Sequence, residues 1–413
     1  MRTQLLSGVL ALALFGSCQH NSVGPEPPST PREFTALEKR ALSSGNTFSF
    51  KLFSAVNAGQ QGENVFLSPL SVSIALGMTL NGAEGTTFDA MQQTLELSGM
   101  SREEINRSYH DILTILPALD PLVKFEIANS LWYRLGFEVQ KAFIDDNATM
   151  FNAEVRPLDF GAPDAPNTIN GWVSDKTHKK ITKVLNAIPN DAVMYLINAL
   201  YFKGTWTYQF AVNQTADGPF TRPDGSTVTC PLMRQKAEFQ YGLVGDVQVI
   251  DLPYGNGTFS MTVLLPRAGA DLDAFSASLT ADRWSAFTGG LSKREVTLTL
   301  PRFKLAYGQR LVQTLAAMGM GIAFGGEANF SRINPTVSLA ISDVLQKTFV
   351  EVNEEGTEAA AVTAVEISVT RTMPQETVMR VDRPFVFALR EQSTGAILFL
   401  GKIVDPTAEQ SGS

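Results

Sequence analysis

Histidine and cysteine are scarce in this sequence, and with them the means for most metal and nucleophilic chemistry. Three of the 413 residues are histidine, namely His20, His110 and His178. No pair of them has metal-ligand spacing, and no cysteine accompanies His110 or His178 at such spacing, so no metal site is expected. A G-x-S-x-G nucleophile elbow is absent. The glycine-rich stretch "GMGIAFGG" (319–326) follows a helix-like segment and carries no Lys-Ser/Thr pair, which argues against a phosphate loop. No motif supports a hydrolase, no cofactor is implied, and an enzyme is not expected. Basic charge is short as well. Lys and Arg number 33 against 41 Asp and Glu, a formal net charge of −8, without a long basic run. Phosphate binding needs clustered cations, so nucleic acid is not an expected partner. The short cluster "KTHKK" (176–180) reads as a solvated face.

Two cysteines occur, Cys18 and Cys230. "MRTQLLSGVLALALFGSC" begins with Arg2, continues with an apolar region from Leu5 to Phe15, and ends in small residues before Cys18. That is the form of a secretory signal, too short for a stable membrane span. Cys18 directly after Gly16-Ser17 resembles a bacterial lipobox, with Phe15 where a smaller aliphatic residue is usual. Residues 1–17 are read as a signal peptide and 18–34 as a Pro-rich polar tether. The protein is therefore expected to be exported. A lipid on Cys18 would make it an outer-membrane lipoprotein facing the periplasm or the cell surface, and plain cleavage would make it secreted. Without a partner for Cys230 there is no disulfide framework, and Cys230 reads as a small buried hydrophobe.

The remainder is ordinary for a globular chain, 44% apolar and 18% charged, with no solenoid repeat and no second linker. Helical spacing dominates early. "TALEKRALSSGNTFSFKLFSAV" reads as a helix, and "SPLSVSIALGMTLNGAEGTT" reads as another, capped by Ser68 with Pro69 in its first turn and ended by Gly82 and Gly85. "TTFDAMQQTL" starts a third. From about residue 190 strand patterns take over. "DAVMYLINALYFKG" reads as a strand buried on both faces, and "VQVIDLPYGNGTFSMTVLLP" as two strands across a Gly-Asn-Gly turn. "REVTLTLPRFKL" alternates, and "RPFVFALREQSTGAILFLGKI" is a hairpin. Helices gathered early and strands late predict an α+β fold.

One stretch, "EEGTEAAAVTAVEISVTRTMPQE" (354–376), mixes an Ala-rich helical propensity with a Val, Ile and Thr end that favours strand. At "NEEGTEAAAVTAVE" (353–366) and "MRVDRPFVFAL" (379–389) the sequence resembles the serpin family of protease inhibitors. So do "NVFLSPLSVSIALGMTLNGAEGTT" (64–87), "INGWVSDKTHKKI", "LINALYFKGTWTYQF" and "ILFLGKIVDP". Together these cover residues 35–406 in family order. The resemblance implies one domain, 35–408, followed by a tail at 409–413. It implies about nine helices and three β-sheets, and an exposed reactive-centre loop (354–378) that inserts into the largest sheet after cleavage.

The loop's own residues are consistent with that use. As a strand from 357 to 370, one set of alternating side chains comprises Thr357, Ala359, Ala361, Thr363, Val365, Ile367 and Val369. The other comprises Glu358, Ala360, Val362, Ala364, Glu366, Ser368 and Thr370. Every charge lies in the second set, the pattern of a half-buried strand. The pattern fails at Arg371. About a dozen new ladder hydrogen bonds at roughly 0.5–1.5 kcal/mol each, with apolar burial, would release ~10 kcal/mol or more. That is comparable to the stability of a whole domain. Gly356 gives the hinge its freedom. Non-inhibitory serpins tend to carry bulky or charged hinge residues. Here Thr357, Ala359, Ala360, Ala361 and Val362 fit the inhibitory pattern.

The resemblance also assigns a sheet-opening group, Ser68, Ser71 and Asn198, with Gln346 where the family often has His. Ser68 also reads as a plain helix cap. Trp206 and Arg302 match positions near the mouth where the loop first enters, and Glu354 is a candidate partner for Arg302. Counting from Gly356, the scissile bond falls at Thr370-Arg371, in keeping with the parity break. Thr370 suits an elastase-like or subtilisin-like serine protease. A slip of one residue would put Arg371 before the cut and attract a trypsin-like enzyme, and Met373 is a third candidate. Cysteine proteases are possible further targets, and the inhibitor is expected to act as a monomer. The alternative is a non-inhibitory serpin-fold binding or structural lipoprotein.

Overall fold

The first helix, Ala36–Ala58, opens on a reciprocal cap. Glu38 N donates to Thr35 Oγ1 while Thr35 N donates to Glu38 Oε2, so two otherwise unpaired amides are satisfied at once. Ser68 caps the next helix, Pro69–Leu80, through Ser71 N. Gly82 lies in the turn after that helix. Gly85 does not end it but opens the following one, Gly85–Thr94, at φ +55°. The computed structural model describes residues 33–357 and 376–412. Phe34–Ser413 forms one compact unit, and nine α-helical segments occur among the described residues.

The strands form two hydrogen-bonded sheets among the described residues, where the sequence reading expects three. Strand Thr227–Val244 accounts for the difference. It is 18 residues long, pairs with Ala216–Thr221 along its first part, with Ser292–Pro301 from Leu232 to Tyr241, and with Val247–Tyr254 at its end. It thereby fuses two lobes into a nine-stranded sheet. Strands Phe259–Pro266, Phe385–Glu391 and Ile397–Ile403 are buried at every position, giving this sheet the center of the core.

The second sheet has seven strands, in the order 410–412, 303–310, 345–352, 356–357, 194–205, 123–134, 153–158. "REVTLTLPRFKL" is two strands and not one. The chain breaks at Arg302, whose N–H donates to Pro231 O, and Phe303–Arg310 continues in the second sheet. Residues Gln410–Gly412, in the expected tail, add an edge strand parallel to Phe303–Arg310.

Strand Met194–Thr205 is less buried than its apolar run suggests, because most of its first half is only partly covered. Its inner face meets the main core, and its outer face meets helix Ala165–Lys176, which packs Ile169, Trp172 and Val173 on Trp132 and Ala199. One of its edges faces a slot, described next.

Candidate functional site: a slot in the seven-stranded sheet

Among the described residues, strands Leu345–Val352 and Met194–Thr205 are joined only at one end, through the two-residue strand Gly356–Thr357. Thr357 pairs with Val352 on one side and Gly204 on the other, and Gly356 with Thr205. Beyond that point no ladder among the described residues connects the two long strands. A narrow cleft runs between them, lined by Tyr201, Phe202, Phe349 and Val350, with Thr177 and Ile181 from the crossing segment above.

The mouth of the slot is tightly built. A Cβ on Gly356 would lie 2.0 Å from Gly204 O, and the residue's φ is +153°, so the hinge accepts glycine for both reasons. Gly204 is equally constrained, since a Cβ there would stand 2.8 Å from the Tyr254 ring. Thr357 is 3% exposed, and its Oγ1 lies 2.7 Å from the Tyr254 hydroxyl. Burial pushes the Tyr254 phenol far up, with the Thr357 hydrogen bond opposing, so it stays neutral and able to donate. Trp206 stacks on Tyr254, centroids 4.4 Å apart, and its Nε1 donates to Asn353 O at 2.9 Å. Trp206 N and Phe210 N donate to Glu355 O and Glu354 O. Asn353 Oδ1 in turn accepts from the amides of Glu355 and Gly356. Glu354 is buried. Its Oε1 accepts from Thr215 Oγ1 at 2.8 Å, and its Oε2 lies 3.6 Å from Arg302 Nε. The half-exposed guanidinium makes that pair weak.

Sequence reasoning missed Gly204, Tyr254, Asn353 and Thr215. A glycine inside an apolar strand is a signal for close backbone approach, so Gly204 was findable. Tyr254 ends a strand of the other sheet, and only the fold brings it to Thr357.

The floor of the slot holds the polar group. Ser68 Oγ donates to Leu398 O at 2.8 Å, and Gln346 Nε2 donates to Ser68 O at 2.6 Å. Ser71 Oγ reaches Asn198 O at 3.5 Å, and Asn198 Nδ2 donates to Asn129 Oδ1 at 2.7 Å. Ser68 is thus both a cap and a tie. Asn198 and Gln346 sit on opposite sides of the slot, and Asn198 Oδ1 and Gln346 Oε1 are both buried without a hydrogen-bond partner among the described residues. Two orphaned acceptors on the strands that flank the slot leave a demand for a donor there.

Glu358, Ala359, Ala360, Ala361 and Val362, the candidate bond residues Thr370, Arg371 and Met373, and Cys18 lie outside the described residues. Cys230 is a buried free thiol. "KTHKK" lies at the surface, with His178 and Lys179 exposed, and it is paired as well. Lys176 pairs with Glu154, His178 with Glu126 and Lys180 with Glu351, because the end of the crossing helix lies against acidic residues of the sheet.

The family described as "Serpin (serine protease inhibitor)" matches residues 43–406. The chain is 34% identical over 378 residues to the bovine leukocyte elastase inhibitor, covering 88% of this chain and 99% of that one. Its structure is similar to that of the thermophilic serpin tengpin in the native state, with TM-score 0.82, 30% identity and 92% and 97% coverage. It is also similar to human thyroxine-binding globulin complexed with thyroxine, with TM-score 0.82, 27% identity and 90% and 100% coverage. With this fold and this match over most of its length, the chain belongs to the serpin family.

Proposed function

We propose that the protein inhibits serine proteases by covalent trapping, its reactive-centre loop entering the slot as a full strand after cleavage. One observation carries this reading: a two-residue strand already wedged between two long strands that share no other pairing among the described residues. Extending that register pairs loop residues with strand 345–352 as far as 364 and with strand 194–205 as far as 367. Arg371 falls beyond both ladders, so the first out-of-pattern charge would stay outside. The same extension brings Thr363 between Asn198 and Gln346, on the face that Thr357 shares, where the single proton of its hydroxyl would serve one of the two orphaned acceptors. The hinge set from Thr357 to Val362 is small enough to pass.

The favoured bond is Thr370-Arg371, with an elastase-like or subtilisin-like target. Likeness to a leukocyte elastase inhibitor supports that class. Arg371-Thr372, and a trypsin-like target, is the next choice. Mixing the protein with proteases of both kinds tests the reading. A complex that survives SDS is expected, and sequencing the released C-terminal peptide identifies the bond. Cleavage without a complex by every protease sinks inhibition. A second reading, a non-inhibitory binding protein, is favoured by the likeness to thyroxine-binding globulin. Export with a lipid on Cys18 completes the proposal, and mass spectrometry of the mature N-terminus tests it.

A further inference from the structure

Segment 177–181 leaves helix Ala165–Lys176 and crosses the slot, and it is fastened on both sides. On one side His178 Nε2 lies 2.5 Å from Glu126 Oε2, and its ring sits 4.3 Å from the Tyr201 ring. On the other side Lys180 Nζ lies 3.6 Å from Glu351 Oε2 and 4.9 Å from the center of the Phe349 ring. Tyr201 and Phe349 are on opposite walls of the cleft. The turn between the fastenings is left-handed at two successive non-glycine residues, His178 (φ +49°) and Lys179 (φ +65°). That backbone is unfavourable without side-chain contacts to hold it.

We propose that segment 177–181 is a strap over the slot whose hold depends on protonation of His178, acid tightening it and slowing strand entry. The inference rests on the slot being where the loop enters. Imidazole changes charge between about pH 5 and 8. Burial pushes the Glu126 carboxyl up, but hydrogen bonds from His178 and Lys124 outweigh it and hold it below its ordinary value. Glu126 is therefore a carboxylate throughout that range. The other groups facing His178 are Lys124 on the Glu126 strand, Tyr201 and Lys203 on the next strand, Lys180 on its own turn, and Glu351 across the slot. Lys124 repels an imidazolium, yet it is itself paired to Glu126 Oε1 at 3.3 Å. Charging His178 thus adds attraction to the carboxylate that already touches it.

The test compares the parent with His178→Gln and Glu126→Gln. Amide hydrogen exchange of residues 177–181, corrected for intrinsic rate, and the rate of SDS-stable complex formation are each followed from pH 5.5 to 8. A partly exposed pair predicts that the parent forms complex about two- to five-fold more slowly than either variant at pH 5.5, with convergence at pH 8. Protection of 177–181 should rise as pH falls in the parent alone. Equal pH profiles in all three proteins overturn the strap and leave inhibition intact. pH-dependent protection with equal complex rates overturns the gating role. Absence of complex at every pH, with protection still pH-dependent in the parent alone, overturns inhibition and leaves the strap standing.

Discussion

Replacing Thr357 with Arg is the sharpest test of the slot, because the residue's surroundings fix the expected size of the effect. Thr357 is buried, flanked by Val352 and Gly204, and its hydroxyl meets that of Tyr254. Losing that contact strands a buried phenol, at roughly 1–3 kcal/mol. Carrying a guanidinium into the same position adds several kcal/mol, with no acid among its described contacts there. If only about 3 kcal/mol of this reaches the barrier to insertion, entry slows by ~150-fold. Trapping competes with hydrolytic release, so a parent partition of about 10:1 would fall to about 1:15 on the same arithmetic. SDS gels should show the complex nearly gone while the cleaved chain accumulates. Glu358→Arg, on the opposite parity, should leave most of the complex. Unchanged yield with Thr357→Arg, or equal losses in both variants, would refute the inward assignment.

Gly356→Ala should expel the two-residue strand, since its Cβ collides with backbone at Gly204, and increased amide exchange at 204–206 checks it. Full protection there would contradict the packing argument. Thr363→Val should lower the stability of the cleaved form by about 1–3 kcal/mol relative to the uncleaved form, through loss of the one donor to the acceptors of Asn198 and Gln346. An equal change in the melting temperature of both forms would count against the extended register. Burial pushes the Cys230 thiol up to about 11. At about pH 8 a maleimide should therefore leave Cys230 unmodified until the chain unfolds, and rapid modification mapped to Cys230 would show the site to be open.

What could be read from sequence followed from period. Alternation along 357–369 separates charged from small residues, and Thr357, the first of the small set, faces the core. The cap at Ser68 is local chemistry and forms as its residue type predicts. Features set by shape between distant segments were not legible. Nothing near Tyr254 in sequence announces that it will meet Thr357, about a hundred residues later in the chain, and nothing in "REVTLTLPRFKL" marks Arg302 as the point where the chain changes sheets. The ion pairs of the surface cluster at 176–180 were not legible for a related reason: its acidic partners Glu126, Glu154 and Glu351 lie on three different strands.

Gln346 makes the division of labour within the slot asymmetric. The floor is tied by neutral groups, Ser68, Ser71, Asn198 and Gln346, each bond worth about 1 kcal/mol, so it can open without stranding a charge. An imidazole at 346 would have made that opening depend on pH, and an amide does not. Ionisable ties occur at the outer face and the mouth, at His178, Lys180 and Arg302, where partial exposure keeps each of them weak. The sheet is therefore closed by many small, separable contacts, whereas a full inserted strand gains a cooperative ladder on both edges. That inequality, more than any single residue, is what would make strand entry proceed in one direction.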